Sequence, residues 1–209
     1  MSLRRQPASL LRHGRALLFA LTLAAVVTFG GKAAAGTEYA AANPAFAVDL
    51  DGRPVDPLRQ TGTNLVVLFF VSVDCPISNR YAPEVRRLWE KFSSHGVTFW
   101  LVYADPTTTA RAIRKHRTEF RYPFEALHDP QHTLVRRSKA TTTPECAVFN
   151  HTGLLAYHGR IDNFYADFGK ARPRATEREL RDALEALLDG RKPAREFVPA
   201  VGCRIPDPP

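Results

Sequence analysis

From residue 64 to 71 the chain is almost uninterrupted in Val, Leu and Phe, with polar residues on both sides. A short apolar run of this kind predicts a strand covered on both faces. Asp74-Cys75-Pro76 breaks the pattern. From Ala82 the spacing changes: Ala82, Val85, Leu88 and Trp89 recur at helical intervals, with Arg86, Arg87, Glu90 and Lys91 between them. Cys75 is therefore expected where a buried strand hands over to a helix. The helix fades at Ser93-Ser94-His95-Gly96, a normal stop signal.

The remaining pattern continues this alternation. Phe46, Val48 and Leu50 alternate with polar or small residues before the turn signal Asp51-Gly52, predicting a hairpin or edge strand. Residues 97–103 predict a second buried strand. Residues 107–121 predict a helix with Ala110, Ile113 and Phe120 inward. A short strand is expected over 122–127 and a short helix over 131–136. Thr143-Pro144 opens another apolar run through Phe149, and proline at that place belongs at an edge or bend. Residues 154–158 are expected to pair back as an edge strand. Residues 159–173 form a loop longer than a simple connection needs. Residues 176–188 predict an amphipathic helix capped by Thr176, with Leu180, Ala183, Leu184 and Leu187 in one stripe, stopped by Gly190. The order predicts one α/β domain with a central mixed sheet flanked by helices.

The two ends differ from this body. Arg4, Arg5, Arg12 and Arg15 precede the apolar segment 16–29, and Ala33-Ala34-Ala35 follows it. That is the pattern of a cleavable signal peptide over 1–35, cut after Ala35, with a periplasmic or secreted product. The segment is short for a membrane span, so no membrane association is expected once it is removed. The domain is expected over 36–190. Residues 191–209 contain five prolines and Cys203, and are expected to lie along the surface or swing free.

Charge and cysteine content then change the picture. The formal charge is +8, but five of the 29 Lys and Arg residues and none of the 21 acids lie in the leader. The rest of the chain is close to +3, too little to argue for nucleic acid. Three cysteines, Cys75, Cys146 and Cys203, are too few for a disulfide scaffold, and the odd count leaves one outside any internal pair.

Cys75 is the chemical candidate. Helix N-terminal N–H groups stabilise an anion, and a thiol placed there can drop from about 8.5 to roughly 3.5–7.5. The competing reading is a buried structural cysteine. Asp74 opposes the helix dipole by like charge, and Arg80 can compensate.

Cys75-Pro76-Ile77-Ser78 resembles the active-site turn of the thioredoxin-fold redoxins, a superfamily that includes thioredoxins, peroxiredoxins and secreted thiol–disulfide proteins. Thr143-Pro144 resembles the threonine and cis-proline that face the active cysteine in that fold. The segment Gly159-Arg160-Ile161-Asp162 and the late Gly202-Cys203 pair are similar to redoxin-domain proteins with such a turn. The resemblance implies a thioredoxin-like fold and thiol chemistry at Cys75. It also implies a substrate groove shaped by Pro76, Ser78, Thr143 and Pro144, with the backbone before Pro144 free to pair with an extended substrate. No metal or organic cofactor is implied. The partners would be a thiol- or disulfide-bearing protein or a small-molecule oxidant.

Ser78 stands where a C-x-x-C motif has its second cysteine. A lone Cys75 can form a mixed disulfide but needs another thiol to resolve it. Cys203 is the first candidate, and the resemblance implies the same pairing. Cys146, two residues beyond Pro144, is the competitor, with a buried core role as its simpler reading.

Peroxide reduction is the second activity expected. In the motif P-x-x-x-T-x-x-C, Ser72 falls at the threonine position and Leu68 at the proline position. Arg160 is the candidate cation. Cu(I) binding is a third reading, weakened because Asn79 occupies the second cysteine position of a C-x-x-x-C pair. The available histidines are His128, His151 and His158. A non-catalytic partner-binding role is a fourth. Tyr81 and Glu84 can line the site or form ordinary helix surface, and Arg160 and Asp162 can form an ion pair or face the cysteine.

Overall fold

The computed structural model describes residues 47–59 and 63–208. The expected signal peptide, its cleavage point after Ala35 and the first residue of the alternation at Phe46 lie outside them.

The predicted strand forms β3 (Leu65–Val71), in which all seven residues are buried. It runs parallel to β4 (Val97–Tyr103) in register Leu65↔Val97 through Val71↔Tyr103. On its other side it pairs antiparallel with β7 (Glu145–Asn150), with Phe69 opposite Cys146. β4 continues parallel into β5 (Ala126–His128). β1 (Ala47–Val48) pairs antiparallel with β5 and with β2 (Pro54–Val55), as the Asp51-Gly52 turn implies. β7 pairs antiparallel with β8 (Leu155–Gly159). β11 (Phe197–Val198) adds parallel to β8. The main sheet therefore has the order β11-β8-β7-β3-β4-β5-β1-β2, with β3 in its interior.

Alternation along β3 divides the core into two layers. Leu65, Val67, Phe69 and Val71 pack with buried residues of α1 (Pro76–Phe92), α2 (Ala110–Glu119) and α4 (Glu179–Leu188). Val66, Leu68 and Phe70 pack with Leu134 and Val135 of α3 (Thr133–Ser138), and with Ile205 from the tail. Helices thus cover both faces of a mixed sheet.

Several boundaries differ from the sequence pattern for local reasons. α1 begins at Pro76 rather than near Ala82, because proline is well suited to a first helical turn and Cys75 caps it. Pro83 also lies within α1. In α2 the buried residues are Ile113 and His116, whereas Ala110 is only partly covered. α4 starts at Glu179, and Thr176 does not cap it. Thr176 instead donates its backbone N–H to Asn163 Oδ1 (2.8 Å) and its hydroxyl accepts from Asn163 Nδ2 (2.8 Å). The long connection contains a small antiparallel ribbon, β9 (Tyr165–Asp167) with β10 (Lys170–Ala171).

The tail does not swing free. β8 is not an edge strand, because β11 covers it. Beyond β11, β12 (Cys203–Arg204) pairs antiparallel with β6 (Thr142–Thr143), and Cys203 stands opposite Thr143. The prolines keep the tail out of the sheet interior, but its two short non-proline stretches still find edges. Two glycines allow this approach. A Cβ on Gly159 would fall 1.9 Å from the Val198 carbonyl oxygen, and one on Gly202 would fall 2.0 Å from that of Thr143.

Candidate active site

Cys75 closes the turn after β3. Its backbone is extended, and its side chain caps α1 by accepting the Ser78 N–H at 3.4 Å. An N–H aimed at sulfur from a helix start stabilises negative charge there. The thiol also donates to the Thr143 carbonyl at 3.2 Å. Only 1% of Cys75 is exposed. The Thr143–Pro144 peptide bond is cis, as the resemblance implied.

Cys203 completes the arrangement. β12 sets it opposite Thr143, the residue that Cys75 contacts. The Thr143 hydroxyl donates to the Cys203 carbonyl at 3.4 Å. Burial, a side-chain hydrogen bond with Cys75 and the proximity of the Cys75 charge push the Cys203 thiol up to about 12. The two residues are about 128 positions apart in sequence and are free thiols here.

Cys146 is in a different environment. It is fully buried in β7, and its thiol donates to the Gly159 carbonyl at 3.2 Å. Burial, reinforced by Glu145, Glu179 and Asp162, pushes its thiol well up. It faces the sheet interior as a small core residue.

The other sequence candidates divide into those that build the turn and those that do not. Ser78 is fully buried, and its hydroxyl accepts the Ser72 N–H at 3.4 Å, tying helix to strand. Pro76 occupies the first turn of α1 with its ring exposed. The Ser72 hydroxyl accepts the Asp74 N–H at 3.4 Å, a local turn contact. The Arg80 guanidinium lies 6.0 Å from the Phe164 ring centroid. It lines a groove of about 780 Å³ beside α1, with Glu84 on the same wall.

The thiolate-tuning role expected for Arg160 is not what its contacts describe. Its guanidinium pairs with Glu177 (2.7 Å) and with the buried Glu179. The latter carboxylate raises Arg160 further above its ordinary value. Arg195 of the tail reaches both carboxylates at 3.3 Å. The two arginines fasten the tail to the start of α4. Nor does Arg160 pair with Asp162. Asp162 instead accepts the Tyr81 hydroxyl at 2.7 Å, so Tyr81 is a buried cross-link rather than helix surface.

Sequence reading missed one network. His116 Nε2 lies 2.7 Å from Asn79 Oδ1, and Nδ1 lies 2.8 Å from the Tyr103 hydroxyl. Asn79 Nδ2 donates to the Val73 carbonyl at 3.2 Å. Asn79 must therefore accept at Oδ1, which puts the imidazole proton on Nε2 and leaves Nδ1 to accept from Tyr103. The chain Tyr103–His116–Asn79 supports the Cys75 turn from behind. Its only sequence signal was a histidine at a helical core position, four residues before the Phe120 that had been expected inward.

Two of the three histidines considered for copper are engaged elsewhere. His128 Nε2 is 3.0 Å from the Asp105 carbonyl, and His158 stacks on Phe197 with ring centroids 4.5 Å apart. His151 is exposed in the turn after β7.

Two solved structures share this architecture over most of the chain. One is an uncharacterized conserved protein from Geobacillus kaustophilus, 25% identical, covering 78% of this chain and 88% of its own, with TM-score 0.66. The other is a hypothetical protein from Sinorhizobium meliloti 1021, 21% identical, covering 77% and 88%, with TM-score 0.64. A secreted Mycobacterium tuberculosis disulfide oxidoreductase homologous to E. coli DsbE is more distant. It is 19% identical, covers 69% of this chain and 94% of its own, and has TM-score 0.48. No curated protein matches the chain. The AhpC/TSA family model matches residues 40–162, which span β1 to the contact of Asp162 with Tyr81. The chain belongs to the AhpC/TSA family, and is a thiol-dependent oxidoreductase of the thioredoxin-like fold.

Proposed function

We propose that the protein is an exported thiol–disulfide oxidoreductase in which Cys75 is the nucleophile and Cys203 the resolving thiol. The observation that carries this reading is the placement of Cys203 against Cys75 across Thr143. Export rests on the leader pattern of residues 1–35.

The cycle follows from the two sulfurs. The Cys75 thiolate attacks one sulfur of a substrate disulfide. A Cys75–substrate bond forms, the substrate S–S bond breaks, and the departing thiolate takes up a proton. Cys203 then loses its proton and attacks the Cys75 sulfur. The second substrate thiol leaves, and a Cys75–Cys203 disulfide remains. The substrate has gained two electrons and the enzyme has lost two. An external dithiol restores both thiols by the reverse exchange, and the same steps run backwards would oxidise a substrate. The helix N–H on Cys75 favours it as attacking and leaving sulfur, and Cys203, across Thr143 on the tail strand, is placed to act second.

Family membership favours peroxide reduction as the second reading. The site gives it less support. The Ser72 hydroxyl is engaged by the Asp74 N–H, and the candidate cation Arg160 is held by Glu177 and Glu179. Thiol counting and peptide mapping of the oxidised and reduced protein test the proposal. A reducible Cys75–Cys203 bridge is expected. Its formation by a disulfide substrate, much faster than by hydrogen peroxide, selects exchange, and the opposite order selects the peroxidase. Cys75 unmodified after both oxidants would remove the redox reading.

A further inference from the structure

The strand that carries Cys203 also lies along the edge of Thr143, the residue that Cys75 contacts. Thr143 is the strand residue whose carbonyl receives the Cys75 thiol. Its outer edge is the place where an extended polypeptide could add by main-chain hydrogen bonding and bring a sulfur to Cys75. That edge is taken by this chain. β12 pairs with Thr142 and Thr143, the Ile205 N–H donates to the Thr141 carbonyl at 3.0 Å, and Ile205 is buried in the second core layer. Gly202 leaves no room for a side chain between the tail and Thr143. Val198 anchors the segment upstream, where β11 joins the sheet.

We infer that the segment Gly202–Ile205 is a built-in occupant of the polypeptide-binding edge, restricting direct attack by Cys75 to small disulfides while it is docked. The inference rests on Cys75 being the nucleophile, and deepens that reading by naming the substrate class. The tail presents a cysteine to Cys75 in the position an incoming strand would have to use. A small disulfide needs no strand edge and only a local parting of the tail to reach the sulfur. An extended polypeptide must displace the whole strand and its Ile205 anchor. Once the tail is displaced, the backbone groups of Thr142 and Thr143 become available, and polypeptide disulfides gain main-chain contacts that small ones cannot make.

The test compares full-length variants that lack the resolving thiol. Cys203→Ser keeps the strand, whereas Gly202→Val combined with Cys203→Ser forces it away from Thr143. Ile205→Asp with Cys203→Ser unseats the same strand by a different route, should the valine disturb folding. Each is reacted with two probes that share one leaving group: a single blocked cysteine and an extended eight-residue peptide, both activated as mixed disulfides with thionitrobenzoate. Release of thionitrobenzoate gives the rate at Cys75. With Cys203→Ser the peptide should react no faster than the single residue. With the strand displaced, the ratio of peptide to single-residue rates should rise about tenfold, the scale of one or two recovered main-chain hydrogen bonds. An unchanged ratio in both displaced variants, with the small probe reacting, overturns the inference and leaves the Cys75 reading intact. Failure of both probes in every variant overturns the Cys75 reading, and the inference with it.

Discussion

At the scale of single residues, the chemistry depends on a few close contacts that tolerate little change. Gly159 has φ +128° and its α-hydrogen faces the Val198 carbonyl, so Gly159→Ala both strains the backbone and expels the tail. It should cost about 1–3 kcal/mol, the range for backbone strain at a position that only glycine fits, and should expose residues 191–208 to limited proteolysis. Urea unfolding and protease mapping would measure the two effects. Arg160→Ala should destabilise the fold by about 1–2 kcal/mol. That is less than the 3–5 kcal/mol for breaking a fully buried pair, because Arg195 still reaches Glu179. The same variant should leave the alkylation rate of Cys75 within about twofold of wild type, since no contact joins Arg160 to that thiol. A tenfold loss would restore the thiolate-tuning role. Cys146→Ala should leave the Cys75–Cys203 bridge unchanged in a thiol count.

At the scale of elements, α2 supports the turn that begins α1. Burial lowers the His116 imidazole below its ordinary value, against the raising influence of Glu119 and Asp74. The folded protein therefore holds His116 neutral at a pH where the unfolded chain would bind a proton. Stability is complete above about pH 6.5 and falls as the pH drops through the window below it. The limiting slope is about 1.4 kcal/mol per pH unit for one proton. Urea midpoints at pH 7, 6 and 5 should show this loss in the native protein and a smaller one in His116→Gln. Equal slopes in both would assign acid sensitivity to other groups. Because Asn79 links His116 to the Val73 carbonyl, His116→Gln should also loosen the Cys75 turn, which hydrogen exchange at the Ser78 N–H would report.

At the scale of the whole molecule, the proposed redox pair joins the first strand-helix unit to the last residues of the chain. A Cys75–Cys203 bridge closes a loop of nearly the whole domain. In chain-entropy terms this constrains the unfolded state by up to about 5 kcal/mol. The oxidised protein should unfold at a clearly higher urea concentration than the reduced one, without loss of secondary structure on reduction. Equal midpoints would mean that the bridge does not form or is strained.

Much of this was legible in the residues. The apolar run 64–71, the break at Asp74-Cys75-Pro76 and the helical spacing after it placed Cys75 at a strand-to-helix turn, because burial on both faces and helix periodicity leave direct traces in composition. Residues 97–103 became β4 for the same reason. The Gly159-Arg160-Ile161-Asp162 segment was visible, but its pairing was misread. Arg160 chose Glu177 and Glu179, and Asp162 chose Tyr81, because these partners are brought in by α1 and α4 from distant parts of the chain. Proline content left the tail to lie along the surface or to swing free. It could not show that two stretches of two residues each would find a sheet edge, since edge pairing depends on what the partner strand leaves open. The sequence by itself determined the chemistry available: one thiol at a helix start, a Ser in place of its neighbour, and a spare cysteine near the end. Only the tertiary structure decided which cysteine meets Cys75, and that the strand carrying it fills the edge beside the thiol. Those outcomes depend on long-range backbone approach through Gly159 and Gly202, and no local pattern encodes the distance between two segments about 128 residues apart.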